Sequence, residues 1–208
     1  MAYTDYYFDI EFAQNLYEQH LFAFAPDNDC ADGSAFRVAF LLWLTELSQL
    51  PSVQHDQITR LLLWSKESLH FECPLHPQHL VESVNGAWRE IFLQPRKQNN
   101  PALCLLVLKS INAQYSYLTL QKLSKQLELN PSYLSRVISS DLKCSFPNLL
   151  QCRRLLTAVD SLRSSRYENS IEDIASELGY SSPHYFYCVF KSFTGLTPVK
   201  ARNVMMLF

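Results

Sequence analysis

Glycine is scarce in this chain: four among 208 residues, at positions 33, 86, 179 and 195. Sandwiches and barrels turn sharply many times and use glycine to do so, so the scarcity argues against an all-β fold. Long apolar runs are missing too. Val38 to Leu44 and Ala102 to Leu108 are the longest, far short of the ~20 residues that cross a bilayer, and no membrane span or membrane partner is expected. The start, Met1-Ala2-Tyr3-Thr4-Asp5, lacks the basic and apolar regions of a secretory leader. No Ser-His-Asp order, phosphate loop or paired carboxylates stand out, so neither an enzyme nor a cofactor is expected.

Six cysteines occur, at 30, 73, 104, 144, 152 and 188. Cys104, Cys144 and Cys152 lie in or beside apolar helical patterns, where a free thiol behaves as a small hydrophobe, and a reduced cytoplasmic protein is the expectation. The formal charge of -2 conceals an asymmetry. Residues 1–112 carry 7 Lys+Arg against 13 Asp+Glu, whereas residues 113–208 carry 11 against 7. An acidic front and a basic back suit a sensor or partner domain joined to a nucleic-acid domain.

Helical periodicity runs through Phe36 to Leu50, Ile58 to Leu69, His79 to Leu93 and Ala102 to Ala113. The polar, proline-bounded stretch from Gln94 to Pro101 marks a domain boundary. The expected architecture is all-α: a helical regulatory or dimerisation domain over 1–97, then a seven-helix domain over 98–208.

The last third states one pattern twice, about 52 residues apart. Leu120, Leu123 and Leu127 precede a turn at Glu128-Leu129-Asn130 and then Leu134, Val137 and Ile138; Ile171, Ile174 and Leu178 precede Gly179-Tyr180-Ser181 and then Phe186, Val189 and Phe190. Each copy reads as a helix-turn-helix. The helix ends are legible. Asn130-Pro131 and Ser182-Pro183 supply a cap and a first-turn proline to the second helix of each copy. Ser170-Ile171-Glu172-Asp173 fits a capping box, and Gly179 sits where a left-handed residue closes a helix. The two motifs span about 119–142 and 170–194, and a linker helix of about 147–164 joins them.

The segment Ser170 to Arg202, SIEDIASELGYSSPHYFYCVFKSFTGLTPVKAR, resembles the signature of AraC/XylS-type bacterial transcription regulators. The first copy, LTLQKLSKQLELNPSYLSRVISSDL, and Arg154-Leu155-Leu156-Thr157-Ala158 are similar to the rest of that domain. The resemblance covers about 100 residues and leaves the front unassigned. It implies a DNA-binding regulator, an activator more than a repressor, working with RNA polymerase. Its two recognition helices would enter successive major-groove segments of double-stranded DNA, ~34 Å apart, and read an asymmetric site.

The faces opposite the apolar positions carry the expected base readers: Ser132, Ser135 and Arg136 in the first head, and Pro183, His184, Tyr187 and Cys188 in the second. Arg136 leads, because a guanidinium pairs bidentately with guanine O6 and N7. Its alternative is a phosphate contact or an intradomain salt bridge. Lys191, Arg153, Arg154 and Arg202 are expected on phosphates or on the domain surface. Tyr133 and Tyr185 are expected to be partly buried, with hydroxyls near the backbone.

Departures from the family pattern remove positive charge from the DNA side. Ile138, Ser139 and Lys143 stand where Phe-Lys and a glycine are usual, Cys188 where arginine is usual, and Glu128 where the second copy has Gly179. Weaker binding, or binding that needs a dimer or partner, follows; an adaptor or anti-activator of the same fold is the alternative. The aromatic-rich front fits a homodimer interface first, a regulatory protein partner second and a ligand pocket third. His70, Cys73, His76 and His79 form a weak metal candidate, with ligand types suited to zinc but drawn from one loop. An enzyme acting through Cys188 beside His184 is the remotest reading.

Overall fold

A computed structural model describes residues 34–50, 53–68, 77–93, 98–164 and 169–205. The described residues form ten helices and no strand: α1 (Ser34–Ser48), α2 (His55–Ser68), α3 (Pro77–Leu93), α4 (Pro101–Gln114), α5 (Leu120–Gln126), α6 (Pro131–Leu142), α7 (Phe146–Ser164), α8 (Ile171–Glu177), α9 (Pro183–Thr194) and α10 (Pro198–Met205). None is long and apolar enough to cross a membrane.

Burial divides the apolar side chains into two clusters with no member in common. One holds Leu103, Val107 and Ile111 of α4, Leu123 of α5, Leu134 and Ile138 of α6, and Phe146 and Leu149 at the start of α7. The other holds Leu155, Leu156, Val159 and Leu162 farther along α7, Ile171 and Ile174 of α8, Phe186 and Phe190 of α9, and Val204 of α10. Val38, Leu41 and Leu44 of α1, Ile58, Leu61 and Leu62 of α2, and Trp88 of α3 belong to that second cluster. The front helices are thus built into the core of the second helix-turn-helix. Each fully buried Leu, Ile or Phe contributes about 1.5–3 kcal/mol, so α1 and α2 are held by an interior, not by a surface contact.

Polar contacts fix the register of that packing. At the start of α2, the His55 ring is buried and its Nε2 lies 2.8 Å from the Leu149 carbonyl of α7. A carbonyl only accepts, so Nε2 carries the hydrogen of this bond. At the far end, Lys66 Nζ sits 4.9 Å over the Phe193 ring of α9. From α1, Arg37 Nη1 donates to the Gly195 carbonyl at 2.9 Å.

The helix ends follow their sequence signals. The side-chain oxygen of Asn130 accepts from the Ser132 and Tyr133 amides, and that of Ser182 accepts from Tyr185, each just before a first-turn proline. Ser170 and Asp173 form a complete capping box. The repeat is not uniform, however. The first helices start at Leu120 and Ile171, 51 residues apart, but the recognition helices start at Pro131 and Pro183, 52 apart, because the second turn is one residue longer.

Both turns nevertheless close alike. Leu129 N–H reaches the Ser124 carbonyl at 2.8 Å and Tyr180 N–H reaches Ala175 at 3.0 Å, around left-handed residues Glu128 (φ 54) and Gly179 (φ 83). Glu128 is exposed. At Gly179 a Cβ would fall on the backbone carbonyl of Ser116, so glycine is required there by a neighbour as well as by φ. Gly179→Ala should therefore destabilise the chain by more than about 2 kcal/mol, whereas Glu128→Gly should change stability by less than about 1 kcal/mol; urea unfolding of both variants checks this.

Burial, aided by nearby Arg153 and opposed by the Leu149 hydrogen bond, lowers the His55 pKa to about 4. The unfolded chain takes up this proton below about pH 6.5 and the folded chain only near pH 4, so the site's stability is complete above 6.5 and is lost progressively down to 4. Urea midpoints should show a loss of about 2 kcal/mol between roughly pH 7.5 and pH 5, absent in His55→Gln, and an equal loss in that variant would acquit the imidazole.

Candidate nucleic-acid interface

Each recognition helix presents a polar strip outward because its apolar residues recur at three- and four-residue spacing on the inner side. On α6, Leu134 and Ile138 point into the core and Ser132 and Arg136 are exposed, with Ser135 half-buried beside them. Arg136 makes no ion pair among the described residues, so the intradomain salt-bridge alternative has no partner there. On α9, Phe186, Val189 and Phe190 point inward, while Pro183, His184, Cys188 and Lys191 are exposed. These strips stay open with α1, α2 and α3 packed in place.

Tyr187 is set apart from that strip. It is half-buried, meets Phe186 edge-on at 6.3 Å, and has its phenol pKa pushed up by burial with the Glu172 carboxylate adding to the effect. The Cys188 thiol and His184 Nε2 are 3.7 Å apart on open helix surface.

The four expected phosphate contacts separate sharply. Lys191 is exposed, one turn beyond Cys188. Arg153 is half-buried, with its guanidinium 5.6 Å over the Tyr115 ring. Arg154 and Arg202, expected on phosphates or on the domain surface, are instead bonded to carbonyls within the fold. Arg154 Nε donates to the Tyr115 carbonyl at 2.8 Å and its Nη2 to the Ser116 carbonyl at 3.0 Å. Arg202 is buried, with Nη2 on the Asn169 carbonyl at 2.9 Å. Such charge-assisted bonds, stronger than neutral ones, commit both guanidinium groups to the fold.

Three groups escaped the sequence reading. Tyr133 and Tyr185, expected to be packed, are exposed at equivalent places on the two recognition helices, 41% and 51% accessible. The Tyr185 hydroxyl meets a side chain, accepting from Gln151 Nε2 at 3.3 Å, where a backbone partner was expected. A phenol at each place offers a donor and an acceptor to a base edge or phosphate. The third group is Asp141 at the end of α6. It accepts from Ser140 Oγ at 2.8 Å, Asn100 N–H at 2.8 Å and Asn99 Nδ2 at 3.2 Å. Those bonds, the serine first, hold its carboxyl below the usual carboxylate range and tie the recognition helix to the segment that opens α4.

Lys143 ends α6 at φ 56 and Gly195 ends α9 at φ 73, a left-handed cap at the same place in both heads. Cys104, Cys144 and Cys152 are buried in the core. Burial pushes the Cys152 thiol up to about 12, and burial beside Asp141 raises Cys104. Among the described residues no three His, Cys, Asp or Glu side chains gather as metal ligands. His70, Cys73 and His76, and the side chain of His79, lie outside what is described.

A family model described as a helix-turn-helix domain matches residues 123–203. The uncharacterized transcriptional regulatory protein YesN of Bacillus subtilis (strain 168) is 35% identical over 78 residues, which are 37% of this chain and 21% of that protein. The uncharacterized HTH-type transcriptional regulator YtdP of the same organism is 31% identical over 88 residues, 42% of this chain and 11% of that protein. The chain thus spans only about a fifth and about a tenth of these curated relatives. The C-terminal domain of AraT, a response regulator from Geobacillus stearothermophilus, is 34% identical, with 49% of this chain and 84% of that one covered at a TM-score of 0.47. Residues 123–203 thus form a helix-turn-helix domain of the AraC type.

Proposed function

We propose that this chain is a sequence-specific transcription regulator that acts as a cytoplasmic activator through contact with RNA polymerase. It reads an asymmetric duplex site with α6 and α9 in successive major-groove segments. The observation that carries this reading is the pair of exposed polar strips, one in each head, on helices that each open with a side-chain cap and a first-turn proline and close on a left-handed residue. Ser132, Ser135 and Arg136 contact bases from α6, and Pro183, His184 and Cys188 from α9, with Tyr187 at the inner margin and Tyr133 and Tyr185 beside the strips. Lys191 and Arg153 contact phosphates. The front part, 1–97, acts as the regulatory part, through a homodimer or a protein partner, upon the DNA-binding part at 98–208.

A second reading is favoured by the engagement of Arg154 and Arg202 within the fold. With those cations committed internally, the outward face is less positive than the sequence suggested. An adaptor or anti-activator acting by protein contacts would need no more charge than this.

Selection of binding sites from a random duplex pool by the full chain separates the two. One asymmetric site with two blocks about a helical turn apart supports the reader, and a pool that enriches nothing supports the adaptor. On the selected duplex, Arg136→Ala should weaken binding by about 1–3 kcal/mol and relax preference at a single base pair. Lys191→Ala should weaken all sequences alike and lower the slope of log affinity against log salt by about one. An unchanged preference in the first variant would remove Arg136 from the base readers.

A further inference from the structure

The two reading heads have separate interiors, and no substantial helix packing joins α4, α5 or α6 to α8, α9 or α10. The linker helix α7 connects them, and one side chain on it holds parts of both. Arg154 donates to the carbonyls of Tyr115, the C-cap of α4 in the first head, and of Ser116 just after it. The last carbonyls of a helix have no partner within it and carry the negative end of its dipole, so a guanidinium from another helix is a well-matched cap. On its other side the same guanidinium lies 5.1 Å over the ring of Tyr180, in the turn of the second head. The Ser116 carbonyl is itself seated on Gly179 of that turn, so closely that no Cβ fits between them. Tyr115 completes the joint by packing against the second head's apolar cluster.

We propose that Arg154 is a positioning residue that fixes the separation and rotation of the two recognition helices, and so sets the spacing of the two DNA blocks the chain accepts. This rests on the DNA-reading function proposed above. Arg154 touches no base in this role. Planarity matters as well as charge, because one fork reaches two adjacent carbonyls while its face covers an aromatic ring.

The test uses the full chain and the duplex it selects, with the two blocks at their selected separation, one base pair closer and one base pair farther. Each added base pair turns one block by about 35° relative to the other. The wild type should prefer the selected spacing by about tenfold or more, Arg154→Gln should bind all three within about threefold at an unchanged salt slope, and Arg154→Lys should fall between. A uniform loss on all three duplexes with the slope reduced by about one would make Arg154 a phosphate contact and overturn the proposal. A wild-type spacing preference in Arg154→Gln would overturn it too.

Amide hydrogen exchange without DNA decides the joint even where no site is selected. In Arg154→Gln the amides of Tyr117 and Leu118, bonded to the Gln114 carbonyl, and of Gly179 and Tyr180, bonded to Ser176 and Ala175, should speed up together by about tenfold or more. Those of Leu134 and Phe186, at the starts of the recognition helices, should not change. Unchanged exchange at the joint, or equal acceleration at all six amides, overturns the inference.

Discussion

One helix belongs to two interiors, and the remaining architecture follows from how it is shared. The first turns of α7 bury Phe146 and Leu149 with the first head, and its later turns bury Leu155, Leu156, Val159 and Leu162 with the second. At 1.5 Å per residue its 19 residues make a rod of about 28 Å, stiff because every interior peptide is bonded within it. A rod anchored in two cores transmits rotation but does not prevent it, since side chains can repack about its axis. The contacts that resist rotation are directional. His55 binds the Leu149 carbonyl from α2, and Arg154 spans the Tyr115 and Ser116 carbonyls. Apolar packing supplies the affinity between these parts, and the directional bonds choose a single arrangement among those that packing alone would accept.

The same division explains where the repeat keeps glycine and where it does not. Glu128 and Gly179 occupy equivalent left-handed positions, as do Lys143 and Gly195. A left-handed φ costs a non-glycine residue about 1–2 kcal/mol, which both heads could have avoided in the same way. The first head carries that cost twice, at the exposed positions Glu128 and Lys143. In the second head a Cβ at Gly179 would meet the Ser116 carbonyl, and one at Gly195 would meet the Arg37 guanidinium. Glycine thus stands where another part of the molecule approaches the backbone, and both approaches bring in material from outside the second head.

Most of the local architecture was legible because its signals are short-range. Asn130-Pro131, Ser182-Pro183 and the Ser170–Asp173 box act within three residues, and the helices they open begin where those residues require. The apolar spacing of Leu120, Leu123, Leu134 and Ile138, and of its counterpart, gave the helix faces for the same reason. Contacts between distant residues leave no such trace. An arginine offers the same five donors whether a phosphate or a carbonyl awaits it, and the partners of Arg154 are 38 and 39 residues away. Tyr133 and Tyr185 were misplaced because a tyrosine flanking a buried residue satisfies helical spacing facing either way. Nor did any local signal show that Val38, Leu41 and Trp88 share an interior with Phe190 and Val204. No sequence window contains both sets.

That shared interior decides how any influence on the front helices reaches the DNA-facing side. A tethered domain joined by a polar linker would act by bringing a partner near, leaving both heads as they were. Here α1 and α2 form one wall of the second head's core, and α2 runs from the Leu149 carbonyl of α7 to the Phe193 ring of α9. Displacing α2 would expose Ile58, Leu61 and Leu62, which are fully buried, at about 1.5–3 kcal/mol each. A signal of ordinary binding strength does not undo an interior of that size, but it can tilt a helix by the small amounts that packed elements slide. A tilt of α2 pulls at both of its ends, one on the linker helix and one on the second recognition helix. Such a tilt would reach the second head directly, and the first only as far as α7 and the Arg154 joint carried the movement.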